Sequence, residues 1–281
     1  MAKIIDGKEI SAFVKNRIAK EVEEFKKGGK EICLAVIIVG EDSASKVYVA
    51  NKEKACEALG IKSLKYALPE STTNEELLEL IHKLNNDKSV NGILCQLPLP
   101  KHLDEKLIIE NILPEKDVDA FHPVNVGRIM IGDYDFLPCT PAGVMEMLKY
   151  ENIDVTGKEC VVLGRSNIVG KPMAMLLLHS NATVTVCHSR TKNLADICRR
   201  ADVLVVAIGK AKFVTADMVK PGAVVIDVGM DRDENGKLCG DADFATVCEV
   251  ASAITPVPGG VGPMTIAMLM QNTLNAAKKQ F

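Results

Sequence analysis

The chain has no tryptophan among its 281 residues, only four tyrosines and seven phenylalanines. Aromatic platforms on which single-stranded nucleic acid could stack are therefore scarce. It also lacks an excess of one charge: 34 Lys and Arg against 37 Asp and Glu leave −3 with the histidines neutral. That balance excludes a polycationic nucleic-acid binder. Long apolar runs are missing too. Val203–Ile208 falls far short of the roughly 20 residues that cross a bilayer, so no membrane partner is expected. Nine cysteines are present, an odd number with no Cys-x-x-Cys, which reads as reduced, buried thiols. The five histidines (His82, His102, His122, His179, His188) form no pair at metal-ligand spacing, and no metal is expected. Asp6 interrupts the opening segment before the apolar stretch of a signal peptide could form, so the expected location is the cytoplasm.

What is there is an ordinary globular composition, 47% hydrophobic and 25% charged, at a length that suits about two domains. Apolar, β-branched runs recur at Cys33–Val39, Ser63–Leu68, Gly92–Leu97, Cys160–Leu163, Ala182–Cys187, Val203–Ile208 and Ala223–Asp227, with helical stretches between them. Continuous apolar strands alternating with helices predict an α/β fold whose largely parallel sheets are covered on both faces. A polar, Pro-rich region from Leu99 to Pro141 separates the third strand from the fourth. The expected division is a catalytic domain over 1–141 and a Rossmann-type domain over 142–262, with a final helix over 263–281 packing back on the first.

The strand Cys160–Leu163 runs into Gly164-Arg-Ser-Asn-Ile-Val-Gly170, which opens a helix. Such a turn brings backbone N–H groups and a helix N-terminus to a phosphate. As Gly-x-Ser-x-x-x-Gly it departs from the commoner Gly-x-Gly-x-x-Gly, and a plain tight turn has the same composition. The next strand ends at Cys187, where an NAD enzyme carries an acid for the ribose hydroxyls. This chain has His188-Ser-Arg-Thr191 instead. Ser189 and Arg190, with Arg165 in the preceding turn, suit a 2′-phosphate, so NADP is favoured over NAD. The alternative is that Ser189 or Thr191 caps a helix beginning near Asn193.

In the first half, Tyr48 and Lys52 are four apart on a predicted helix and share one face. A phenol beside an ammonium can relay protons where water is excluded, although an ordinary helix surface shows the same spacing. Gln96 ends a strand at a carboxyl edge, where open α/β sheets place ligands. Pro114-Glu-Lys-Asp-Val-Asp119 carries two alternate carboxylates, each equally readable as a cap or a surface ion-pair member. The Thr255–Thr265 segment crowds prolines and glycines into a constrained loop, shaped for a ligand or serving as a hinge.

In order along the chain, Tyr48-x-x-x-Lys52 with Lys54-Ala-Cys56, Gln96-Leu-Pro-Leu-Pro, Pro114–Asp119, Pro138-Cys-Thr-Pro141, the Gly164–Gly170 turn and Pro256–Thr265 resemble the bifunctional methylenetetrahydrofolate dehydrogenase/methenyltetrahydrofolate cyclohydrolase family from end to end. The resemblance implies oxidation of methylenetetrahydrofolate with NADP, then hydrolysis of the methenyl form to formyltetrahydrofolate. This is one-carbon chemistry that feeds purine and amino-acid biosynthesis, carried out in a homodimer. It implies Lys52 as the acid/base group, Tyr48 stacking on and orienting the folate, Gln96 bonded to Lys52, and Asp119 anchoring the pterin. Leu97 and the loop residues Pro258, Gly259, Gly260, Val261 and Gly262 would line the folate site. Gly164, Arg165, Ser166, Ser189 and Arg190 would hold the cofactor, with Met230 beside the nicotinamide. Two departures touch the implied site: Ala120 stands where the family has glycine, and Gly229-Met-Asp-Arg232 replaces the usual Gly-Ile-Asn-Arg. The alternatives are a dehydrogenase-only relative, a shikimate-dehydrogenase-like oxidoreductase, or a dinucleotide sensor without turnover.

Overall fold

The computed structural model describes the backbone of residues 1–281 and the side chains of all but residue 44. In chain order the elements are β1 Lys3–Ile4, α1 Gly7–Lys26, β2 Cys33–Val39, α2 Ser43–Ala58, β3 Lys62–Leu68, α3 Asn74–Asn86 and β4 Gly92–Cys95. Next come α4 Glu105–Asn111, α5 Pro123–Ile131, α6 Cys139–Tyr150, β5 Glu159–Leu163, α7 Gly170–His179, β6 Thr183–Cys187 and α8 Leu194–Cys198. The chain continues with β7 Val203–Val206, β8 Val224–Asp227, β9 Asp231–Arg232, β10 Leu238–Cys239, α9 Phe244–Val250, β11 Ala253–Ile254 and α10 Val261–Gln280. They form two compact units: residues 1–12 with 140–265, and residues 13–139 with 266–281.

The unit of residues 13–139 and 266–281 is built on the parallel sheet β3-β2-β4. All seven residues of β2 are buried, as expected of a strand covered on both faces. Helix α3 lays Leu77, Ile81 and Leu84 on it, at the spacing of one helix stripe. The start of α3 is closed by a reciprocal capping box between Thr73 and Glu76, a feature worth about 1 kcal/mol. Beyond β4 the sheet gains one more bridge, in which Asp117 pairs in parallel with Ile93 and Ile93 N–H donates to Lys116 O. Gln96, one residue past β4, and Asp119, two past the bridge, therefore emerge at the same carboxyl edge. Two helices, α4 and α5, lie within the polar, Pro-rich stretch from Leu99 to Pro141.

The other unit holds a six-stranded parallel sheet in the order β1-β11-β8-β7-β5-β6. Strand order reverses between β5 and β7, which makes a topological switch point, the place where such sheets bind ligands. The expected domain limits differ from the observed ones at the N-terminus. Residues 1–12 belong to this sheet's unit, because β1 pairs with β11 (Lys3 opposite Ala253, Ile4 opposite Ile254) and Ala2 N–H donates to Cys248 O. A two-residue strand has too little periodicity to be read from sequence. The change of unit near the middle of the chain falls between residues 139 and 140, against an expectation of 141 and 142.

Candidate active site

Helix α2 follows β2 and is capped by Asp42, whose carboxylate accepts from Ser45 N–H. It presents Lys52, only 9% exposed, with Tyr48 one turn earlier and half-buried. Lys52 Nζ donates to Gln96 Oε1 at 2.8 Å, and Gln96 Nε2 donates to Leu97 O at 2.7 Å. The backbone thus orients the amide and the amide holds the ammonium. Gln96 N–H itself donates to Ile37 O, which ties the residue to β2. Burial pushes the Tyr48 phenol above its ordinary range, so it stays protonated as a hydrogen-bond donor at neutral pH.

Asp119 completes this group. Burial lifts its carboxyl to about 6, while the Lys52 charge pulls the other way and neighbouring Asp117 adds to the rise. Among the described residues its hydrogen-bond partner is the Cys139 thiol, 3.9 Å from Oδ1, a long and weak contact. Asp117 differs from both readings offered for it in sequence. It is neither cap nor surface ion pair, but a buried carboxyl whose Oδ2 accepts from His122 N–H at 2.8 Å and Asn125 Nδ2 at 2.9 Å. The structure therefore brings Tyr48, Lys52, Gln96, Leu97 and Asp119 to one edge of one unit.

Pro258, Gly259 and Gly260 form the loop after β11 in the other unit, and Val261 and Gly262 open α10 directly behind it. Thr255 Oγ1 accepts from Asp227 N–H at 2.8 Å and anchors the start of that loop to β8. At Gly260 a side chain would strike Pro256 O at 2.5 Å, so the fold of the loop requires glycine there. A methyl group on Gly262 would lie 3.4 Å from the tip of Met230, which places the exposed Met230 against the first turn of α10.

At the switch point, Gly164 has φ +131° and a Cβ there would meet Ala207 O, just past β7, at 2.2 Å. The backbone of β5 and that of β7 approach so closely that the cradle between them exists only for glycine. Ser166 Oγ accepts from Val169 and Gly170 N–H, closing the turn into α7. Arg165, Ser166, Ser189 and Arg190 are all exposed, and neither arginine is in an ion pair among the described residues. The helix-cap alternative does not hold. Thr191 Oγ1 accepts from His188 N–H, and α8 starts after Asn193 at φ +52° with no side-chain cap. A glycine cradle at the switch point with exposed, unpaired arginines at both of its turns fits a phosphorylated dinucleotide.

Two sets of residues around these sites carry little signal in the sequence. One is Asp227 and Asp241, at and beyond the end of β8, which pin the loops around the cradle. Asp241 accepts from Ile208, Gly209 and Lys210 N–H, and Asp227 accepts from Gly229, Asp241 and Ala242 N–H. An aspartate at a strand end is a weak signal for this role. The other is Asn272 and Cys139, which surround Asp119 and carry no motif beyond the Pro138-Cys-Thr-Pro141 string.

The fold and the site describe an α/β oxidoreductase type of protein, with a Rossmann-type nucleotide cradle in one unit and a lysine–amide–carboxylate centre in the other. A family model described as the tetrahydrofolate dehydrogenase/cyclohydrolase catalytic domain matches residues 5–119, and its NAD(P)-binding domain matches residues 138–281. The chain is 66% identical to the bifunctional protein FolD of Acetivibrio thermocellus, over 99% of this chain and 98% of that one. Its structure superposes on the FolD methylenetetrahydrofolate dehydrogenase/cyclohydrolase of Campylobacter jejuni with TM-score 0.97 at 53% identity, covering all of both chains. The Trypanosoma brucei methylenetetrahydrofolate dehydrogenase-cyclohydrolase, solved with NADP and an inhibitor, gives TM-score 0.94 at 40% identity over 99% and 98% of the two chains. The chain belongs to the tetrahydrofolate dehydrogenase/cyclohydrolase family. That membership excludes the shikimate-dehydrogenase-like alternative. No helix among the described residues is long and apolar enough to cross a membrane, and no group of metal-binding side chains occurs among them.

Proposed function

We propose that this chain performs both family reactions, NADP-linked oxidation of methylenetetrahydrofolate to the methenyl form and hydrolysis of that form to formyltetrahydrofolate, and that Lys52 governs the second. The observation that carries the reading is the buried Lys52 held by the neutral Gln96 amide at 2.8 Å. A carboxylate partner would lock the ammonium proton in an ion pair. An amide fixes its position and leaves the proton available for exchange with substrate and water.

The two steps make different demands. NADP supplies the hydride acceptor when bound. The carbon that loses hydride is flanked by two nitrogens that stabilise the developing cation, so the protein's task is orientation. Tyr48 would stack on and orient the folate, and Asp119 would accept from the donor edge of the pterin. Hydrolysis adds water to the methenyl carbon and breaks one carbon–nitrogen bond. One proton must leave the attacking water and another must reach the departing nitrogen. Lys52 moves these protons, and Gln96 keeps its Nζ at the reacting carbon. Leu97, next to Gln96, would line the folate site beside these residues.

For the cofactor, Gly164 and Ser166 would approach the pyrophosphate, and Arg165, Ser189 and Arg190 would take the 2′-phosphate through charge-assisted hydrogen bonds. Met230 would lie against the nicotinamide. The location is proposed as cytoplasmic, in keeping with nine free cysteines. The assembly is proposed as a homodimer through the cofactor-binding unit, where β6 is an edge strand and Leu178 and Val186 are exposed apolar residues.

The test is a spectrophotometric assay of the purified protein with methylenetetrahydrofolate and NADP, following reduced cofactor and free methenyl product before and after an acid quench that recloses the formyl product. Reduced cofactor with little free methenyl before the quench is the expected result. Accumulating methenyl would mean a dehydrogenase without effective hydrolysis. No reduction with either cofactor would overturn the reading.

A further inference from the structure

Helix α10 contributes none of Tyr48, Lys52, Gln96, Leu97 and Asp119, yet it buries a primary amide in its middle. Asn272 is 3% exposed, and its Nδ2 donates to Val118 O at 2.8 Å and to Leu137 O at 2.8 Å. Two carbonyls can be met only by the NH2 end of an amide, so the orientation of the side chain is fixed by its partners. The same nitrogen stands 3.7 Å from Cys139 Sγ, and that sulfur is 3.7 Å from Val118 O and 3.9 Å from Asp119 Oδ1. One side chain thus joins two segments that are distant in sequence: the one that ends in Asp119 and the one that enters α6.

The carbonyl it holds belongs to the peptide that leads into Asp119. On its N-terminal side the same loop is pinned by Asp117, which accepts from His122 N–H and Asn125 Nδ2. Between and beyond these anchors, Ala120 is fully buried at φ +59°. That left-handed conformation strains a residue with a Cβ and persists only where the surroundings enforce it. Neither Asn272 nor Cys139 needs to touch a ligand to matter, because both act on the residue that does.

We propose that Asn272 is a positioning residue for folate binding, fixing the Val118–Asp119 peptide and hence the direction of the Asp119 carboxyl against the strained backbone at Ala120. The inference rests on the reading of Asp119 as the pterin anchor. Its consequence is selective: losing the Asn272 amide weakens the folate interaction and leaves the cofactor interaction alone.

The experiment compares kcat and the Michaelis constants for methylenetetrahydrofolate and NADP in the wild type, Asn272→Ala, Asp119→Asn, the double variant and Thr273→Val. Thr273 is equally buried on the same helix, and its hydroxyl donates only to Leu269 O one turn back, so it controls for general damage to α10. Asn272→Ala is expected to raise the folate KM by about tenfold, in keeping with two lost buried hydrogen bonds, with the NADP KM within about twofold of wild type. In the Asp119→Asn background the same substitution is expected to add less than about twofold, because coupled residues do not add. Thr273→Val should match wild type in both constants. Should Asn272→Ala fail to fold, Asn272→Ser, whose hydroxyl can serve one carbonyl, is measured in its place, with about a threefold rise expected. An unchanged folate KM, or an equal cost in both backgrounds, would make Asn272 a purely structural residue and overturn the proposal. A wild-type folate KM in Asp119→Asn alone would instead remove the reading on which it stands.

Discussion

Each unit sets aspartates beside the carboxyl edge of its parallel sheet, and the two units treat them in opposite ways. Asp227 fills its lone pairs with three backbone N–H groups, at 2.9, 3.0 and 2.8 Å, and Asp241 does the same with three others. These carboxylates are spent on the loops they hold. Asp119, by contrast, has a distant thiol and the field of Lys52, and its acceptor sites are not taken up by its own backbone. Both Asp227 and Asp119 are lifted by burial, to about 7 and about 6, so burial alone does not separate a structural acid from a binding one. What separates them is whether the protein has already supplied the donors.

Removing the saturated acid should have the largest effect on the fold. Asp227→Ala leaves three buried N–H groups without acceptors and should cost about 3–5 kcal/mol, read as a fall in denaturant midpoint. A fall as small as that of a surface substitution would erase the contrast.

The unsaturated acid should behave in reverse, losing function while gaining stability. Asp119→Asn should raise the folate KM by about tenfold or more. In the folded chain the Asp119 carboxyl titrates at about 6 against an ordinary 3.8. Between those values the folded state holds a proton that the unfolded state has released. Its share of stability is therefore full below about pH 4 and is lost as pH rises through about 6. Asp119→Asn removes that loss, so Tm should rise by about 2 °C at pH 8 and stay unchanged at pH 4. Wild-type folate KM should climb as pH falls below about 6, and the variant should show no such climb. A flat wild-type profile would contradict the assignment.

A smaller and more selective change is expected at the cradle. Arg190→Ala should raise the NADP KM by about tenfold and leave that for NAD within twofold, as the loss of one charge-assisted contact predicts. An unchanged preference would remove the arginine from the 2′-phosphate site. The smallest effect is expected from Ala120→Gly. It relieves the left-handed strain but gives the unfolded chain more freedom, and the two changes oppose each other to within about 1 kcal/mol. A change of several kcal/mol in the chemical denaturation of this variant would show that the loop is held differently.

Much of this arrangement was legible in the residues. The seven apolar runs correspond to β2 through β8, with edges shifted by one or two residues; β2, β4, β5, β7 and β8 are continuously apolar because they are buried on both faces, whereas β3 and β6 are sheet edges that keep exposed positions. The family resemblance, rather than any local pattern, implies that Lys52 and Gln96 meet, and they do so at 2.8 Å although 44 residues separate them. What escaped reading was of another kind. Strands β1 and β11 are two residues each and exist by pairing, β1 with β11 and β11 with β8 as well, rather than by local pattern. The unit membership of residues 1–12 followed from that pairing and was missed with it. Asn272 was invisible because its role lies in two carbonyls from remote segments, and an asparagine in an amphipathic helix has no signature of its own. The difference between Asp227 and Asp119 was equally hidden, since it consists of backbone donors that only folding brings into place.

Lys52 is the residue on which the hydrolytic step depends. Reduced cofactor, free methenyl product and formyl product should be followed together in wild type and in Lys52→Met, under the same methylenetetrahydrofolate and NADP. The expected result is that Lys52→Met still reduces cofactor, while hydrolysis falls by about 10²-fold or more and the methenyl product accumulates, as the loss of a general acid/base demands. Hydrolysis at the wild-type rate in Lys52→Met would contradict the central claim.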